Sequence, residues 1–248
     1  MKKILNILLI VMISIGISAC KSQNETIKKE EKEEPMIEIE DIKKEEENLG
    51  GWNVYQEEPV FQTTQEGMEV MELALKDIKE DVSYRPFIEL GTQIASGKNY
   101  MYLAYENDKS KSPSTNLVVI TAYKDLQGNV SLLHINPFNI LGMMNAKQNE
   151  DAVGAWKENE NLVKADLPES AQNAFDGATK DLLGANYEPI ALLATQVIAG
   201  ERLAILAKQT MVTANPTTNL VIMFIYSGFD KTNSIENIYT LNLADFNK

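Results

Sequence analysis

Side chains able to carry covalent or metal chemistry are scarce in this 248-residue chain, which has one histidine, His134, and one cysteine, Cys20. A Ser-His-Asp triad, a Cys-His pair and a zinc site of thiolates and imidazoles each need more than that. His134 falls in a strand-like run and reads as a structural or surface histidine. Carboxylate pairs such as Glu57-Glu58, Asp77 with Glu80-Asp81, and Glu150-Asp151 fall on helix faces and linkers and read as solvated. No glycine-rich phosphate loop or nucleophile elbow occurs. The expectation is a protein that is not an enzyme and takes no cofactor and no metal. With a formal net charge of −13 spread over both halves, it also lacks the basic footprint that nucleic acid or an anionic membrane surface requires.

The chemistry left is recognition, and it centres on a stretch that occurs twice. Gln93-Ile94-Ala95-Ser96-Gly97 returns as Gln196-Val197-Ile198-Ala199-Gly200 at an offset of 103 residues. The same offset carries Tyr84-Arg85-Pro86 onto Tyr187-Glu188-Pro189, Thr115-Asn116-Leu117-Val118 onto Thr218-Asn219-Leu220-Val221, and Tyr123 onto Tyr226. A period this long means two tandem domains of about 100 residues, a size at which each is expected to fold alone.

Ahead of the repeats, residues 1–19 read as an export signal: Lys2 and Lys3 precede an apolar run, Ile4 to Ile17, too short for a spanning helix. Ile17-Ser18-Ala19-Cys20 resembles the bacterial lipoprotein box, which implies cleavage before Cys20 and lipidation of that residue. The protein is then expected to be exported and lipid-anchored to the bacterial cell membrane or outer membrane. Residues 20–49 are the lipidated cysteine and a charged tether too poor in apolar side chains to fold. At Gly50-Gly51-Trp52 the composition turns apolar and aromatic, so the repeats are placed at 50–145 and 150–248.

Each repeat reads as a helix followed by an antiparallel meander, an α+β unit whose sheet wraps the helix. In the first, Thr63 or Thr64 caps a helix running through Ile78, with Met68, Met71, Leu75 and Ile78 inward. Strands follow at 86–94, 100–105, 117–123 and 130–135. In the second, Pro168 starts a helix with Ala171, Ala174, Phe175, Ala178 and Leu182 inward, and strands follow at 190–198, 203–207, 220–226 and 235–241. The last hairpin of the second repeat reads about two residues longer than its counterpart, and the counterpart of His134 reads as Tyr239 or a neighbour. Gly97 and Gly128 supply turns.

A glycine before the first strand, a long helix, and Gln-apolar-apolar-small-Gly at the next hairpin resemble the cystatins, inhibitors of papain-like cysteine proteases. The resemblance covers nearly all of each repeat and implies two tandem cystatin-like domains, each one long helix wrapped by a four- to five-stranded antiparallel sheet. It also implies a wedge for the protease cleft, made of the amino-terminal glycine (Gly50 or Gly51, and Gly154), the first hairpin (Gln93 to Gly97, and Gln196 to Gly200) and the second hairpin. The second copy keeps the better first hairpin. Neither second hairpin has the Pro-Trp common in that family. The expected partner is a papain-like cysteine protease, engaged by a monomer tethered through Cys20. The alternative, from a different class, is a surface binding or adhesion lipoprotein that keeps the scaffold without inhibiting.

Overall fold

The two repeats give two antiparallel sheets of five strands each. The computed structural model describes residues 52–54, 62–78, 81–111, 115–143, 155–159 and 165–248, all within one compact unit. In the first repeat β1 (Trp52–Val54) precedes α1 (Gln65–Leu75). Strands β2 (Val82–Ile94), β3 (Gly97–Asp108), β4 (Thr115–Asp125) and β5 (Val130–Pro137) then complete a sheet in the order β1 to β5. After the short helix α2 (Ile140–Met143), the second repeat runs through β6 (Trp156–Glu158), α3 (Glu169–Thr179), β7 (Ala185–Ile198), β8 (Gly200–Met211), β9 (Thr218–Ser227) and β10 (Asn233–Leu241). Its sheet has the order β6 to β10, and a 3-10 turn at Leu243–Phe246 follows. The chain is an α+β protein.

The helices expected to be long span 11 residues each. Thr64 is the N-cap of α1, its hydroxyl accepting from the Gly67 amide at 2.8 Å. The helix stops at Leu75 rather than Ile78, and its inward stripe is Gly67, Val70 and Met71, with Met68 44 % exposed. Met71 is inward as expected and Leu75 packs on the same cluster, but Gly67, where an added Cβ would lie 2.4 Å from Glu89 Oε2, approaches the sheet in place of Met68. In α3 Ala171, Ala174 and Phe175 are buried as expected, whereas Leu182 lies beyond the helix end and is 36 % exposed.

The register corrects the reading of the last hairpin. Tyr123 faces Ser131 and Tyr226 faces Ser234, so the two hairpins have equal length. His134 faces Thr121, and its counterpart is Asn237, which faces Phe224. The length difference lies elsewhere: Trp52 opposite Gln93 and Trp156 opposite Gln196 are offset by 104, so one residue is lost in the α3–β7 connection.

Each sheet is covered on both faces, and the central strands divide by parity. On one face Tyr100, Tyr102, Ala104, Val118, Ile120 and Ala122 receive Val70 and Met71 of α1. Leu203, Ile205, Ala207, Val221, Met223 and Ile225 likewise receive α3. The alternate residues form a third cluster common to both repeats: Met101, Leu103, Leu117 and Val119 from one sheet, and Ala204, Leu206, Leu220 and Ile222 from the other. Corresponding positions of the two copies therefore meet in a shared core between the sheets, in the manner of a sheet-on-sheet sandwich. Trp52 packs against it, and Trp156 sits in it edge-on to Phe224 with ring centroids 5.9 Å apart. The expectation that each repeat builds a separate core meets this common one instead. Bulges at Phe87 and Leu90, and at Ile190 and Leu193, insert extra apolar residues into it while bending β2 and β7.

Candidate functional site

The register brings three segments of each repeat to one end of its sheet. In the first, Trp52 at the head of β1 faces Gln93, the β2–β3 turn is Ala95-Ser96, and Gly97 faces Asp125 at the mouth of the β4–β5 hairpin. In the second, Trp156 faces Gln196, and Glu201 beside Gly200 faces Ser227 at the mouth of the β9–β10 hairpin. Gly50, Gly51 and Gly154, and the carboxylates Glu57, Glu58, Glu150 and Asp151, lie outside the described residues.

The repeated glycines are fixed by a neighbouring tyrosine. A Cβ on Gly97 would lie 2.4 Å from the Lys124 carbonyl oxygen and 2.8 Å from the Tyr123 ring. One on Gly200, whose φ is +121°, would lie 2.5 Å from the Ser227 carbonyl oxygen. With the glycine bare, the Tyr123 hydroxyl reaches over it to donate to the Ser96 carbonyl at 3.0 Å, and the Tyr226 hydroxyl donates to the Ala199 carbonyl. Each hairpin tip is thereby tied to the next strand. The glutamines are held too. Gln93 Oε1 accepts from Asn99 Nδ2 at 2.7 Å, and Gln196 Oε1 accepts from Arg202 at 3.3 Å, while Arg202 pairs with Glu236 on β10 at 2.9 Å.

What the edge offers a partner is therefore the turn side chains. Ile94, Gln93, Gln196 and Ile198 are half-buried; Ala95, Ser96 and Ala199 are exposed, and Val197 is 67 % exposed. The second hairpins add residues that the missing Pro-Trp pair left unnoticed. Leu126 is 81 % exposed and Phe229 is 85 % exposed, and they occupy the same turn position at the 103-residue offset. That offset was the signal available for finding them.

Both second hairpins are braced by an aspartate. The Asp125 carboxylate accepts from the Gln127 and Asn129 amides at 2.9 and 2.8 Å and from the Asn129 side chain at 2.7 Å. These bonds, the side-chain one foremost, hold its pKa below the usual aspartate value. Asp230 does the same with the Thr232 hydroxyl at 2.6 Å and amide at 3.1 Å. Gly128 takes a φ of +87° in the first copy, and Lys231 stands at the equivalent place in the second with a φ of +63°. A left-handed lysine is a strained choice at a position where the other copy keeps glycine.

At the opposite end of the first repeat a cleft of about 280 Å³ is lined by Glu106, Lys111, Asn116, Phe138, Asn139 and Glu158. Lys111 bridges Glu106 at 2.7 Å and Asp108 at 3.2 Å. Burial and the bond it donates to Glu106 push the Tyr84 hydroxyl up to about 12, out of reach of acid–base work at neutral pH. Among the described residues no group of three or more His, Cys, Asp or Glu could hold a metal ion, and no helix is long and apolar enough to cross a membrane. No protein-family model matches the chain, and no curated protein matches it.

Proposed function

We propose that the chain is a membrane-tethered, two-domain inhibitor of papain-like cysteine proteases on a cystatin-like scaffold, held at the bacterial surface by a lipidated Cys20. The repeats, at 50–145 and 150–248, each present a wedge to the protease cleft. The observation that carries the reading is the shared edge, at which the head of the first strand, the first hairpin and the second hairpin stand together. An edge braced by backbone turns and tyrosine bonds loses little entropy on docking, which is what tight binding by a small apolar surface requires. The second repeat is the stronger candidate, because Val197, Ala199 and Phe229 give its edge more exposed apolar side chains than Ala95, Ser96 and Leu126 give the first.

A second reading rests on the tyrosine-over-glycine locks. They account for both glycines without a partner, so the scaffold is equally suited to a surface binding module that inhibits nothing. Titration of papain and a cathepsin with the 50–248 fragment separates the two. Inhibition that weakens about tenfold or more in Val197→Asp and Phe229→Asp supports the inhibitor, since an apolar anchor at an interface centre is worth that much. Absence of inhibition at micromolar concentration leaves the binding module. Substitutions at Gly97 or Gly200 are unsuited to this test, because they disturb the hairpin itself.

A further inference from the structure

The two copies differ most beneath their helices, and each serves as the control for the other. In the first repeat Glu89 of β2 is 2 % exposed and lies under the start of α1. Its Oε2 accepts from the Thr64 amide at 3.0 Å and from the Thr64 hydroxyl at 2.9 Å, and the same hydroxyl accepts from the Gly67 amide at 2.8 Å. The Tyr102 hydroxyl donates to the Gly67 carbonyl at 2.8 Å, and the Tyr100 hydroxyl is buried beside Glu66. Glu66 on α1 pairs with Lys124 of β4 at 2.7 Å and Lys98 of β3 at 3.6 Å, and Lys98 lies 4.8 Å from the Tyr100 ring centroid.

In the second repeat hydrocarbon replaces the centre of this assembly. Leu192, Leu203 and Ile205 stand for Glu89, Tyr100 and Tyr102, and Pro168 with no side-chain cap stands for Thr64. Since α3 docks on that apolar surface with the same length and register, the fold does not require a carboxylate there. An ionisable group sealed from water and clamped to a helix start is then a feature of the first repeat alone.

We propose that Glu89 is a proton-responsive clamp that makes the start of α1 open more readily at neutral pH and close more firmly in mild acid. The groups facing it are Thr64, Glu66 and Gly67 from the helix and its cap, and Lys98, Tyr100 and Tyr102 from β3. Loss of hydration raises the carboxyl above its ordinary value of 4.5, against the lowering effect of the two Thr64 bonds and of Lys98. A raised carboxyl pKa in the folded protein means that folded protein binds the proton more tightly than unfolded chain. Its stabilising contribution grows as pH falls through the folded value and is complete below 4.5. Glu66 works in a separate window. Its pKa is lowered, first by the Lys124 bond, so its contribution is lost only as pH falls below 4.5.

Hydrogen exchange at the Thr64 and Gly67 amides, corrected for intrinsic rates, tests the clamp in the 50–248 fragment. As pH falls from 7.5 to 4.5 the wild-type opening constant is expected to fall, by up to about tenfold for each unit by which burial raises the Glu89 carboxyl. In Glu89→Gln, and in Glu89→Leu, which installs the residue of the other repeat, the ratio of the constants at the two pH values is expected to stay near one. A wild-type ratio near one, or the same slope in all three proteins, overturns the proposal. Protease titration plays no part in these readouts, so the result stands or falls apart from the inhibitor reading.

Discussion

Gly97, Gly128 and Gly200 look alike in the chain and are held by different forces. At Gly128 the backbone is left-handed and nothing lies within 4 Å of an added Cβ, so Gly128→Ala is expected to cost only the conformational strain, about 1–2 kcal/mol. Gly97 is outside the left-handed region, and there the cost is overpacking against Lys124 and Tyr123, about 1–3 kcal/mol. Gly200 combines both, so chemical denaturation of the three alanine variants should rank Gly200→Ala the most destabilised. Thr121 offers the opposite sign. It is fully buried in the shared core with an unpartnered hydroxyl, where the second repeat has Phe224. Thr121→Val keeps the shape and removes the stranded group, and an increase in stability of about 1 kcal/mol is expected in the same assay. A lysine with a φ of +63° at 231 is likewise expected to yield a more stable hairpin as Lys231→Gly, by about 1 kcal/mol or less once the added chain entropy is counted.

Among elements, α1 depends on its cap and α3 does not. Thr64 serves two partners at once, Gly67 and Glu89, so Thr64→Ala is expected to lower the melting temperature and cost about 1–2 kcal/mol. The equivalent change at Pro168 removes no side-chain bond. The helix and the four strands after it were legible in each repeat, because apolar spacing and turn residues such as Gly97 and Gly128 mark helix and hairpins by local chemistry alone, whereas the three-residue strands β1 and β6 and the short α2 are too brief to leave a periodicity. The inward face of α1 was not legible: Met68 and Gly67 are adjacent, and only the sheet decides which approaches it. Leu126 and Phe229 were overlooked for a related reason, since exposure at a turn depends on where the hairpin ends, and the end was set by a register that the sequence does not state. The Glu89 clamp left a fainter trace, a carboxylate in one copy where the other has Leu192.

Across the whole molecule, the strands had already announced their burial. Leu117-Val118-Val119-Ile120-Thr121-Ala122 and Leu220-Val221-Ile222-Met223-Phe224-Ile225 do not alternate with polar residues, as strands covered on both faces do not. Helices account for one face only, and the other sheet is the cover for the second. A fragment holding either repeat alone is therefore expected to aggregate, dimerise or lose its sharp thermal transition, which gel filtration and circular dichroism would detect; a well-folded monomeric repeat would show that the common core is dispensable. The carboxylates of Asp108, Asp125 and Asp230 have lowered pKa values, first through bonds to Ser110, Asn129 and Thr232. Their contribution is present above 3.8 and is lost as pH falls below it, so acid unfolding of the 50–248 fragment is expected to steepen there rather than at neutral pH.

The meeting of equivalent positions between the sheets has a consequence for how the protein responds to dilution. A face that buries against its own duplicate has the self-complementarity of a twofold homodimer, and a free single copy would find its partner only by collision. Joining the copies in one chain turns that encounter into an intramolecular one, with an effective concentration that does not depend on how much protein is present. The melting temperature of the intact protein should therefore be the same at nanomolar and at high micromolar concentration.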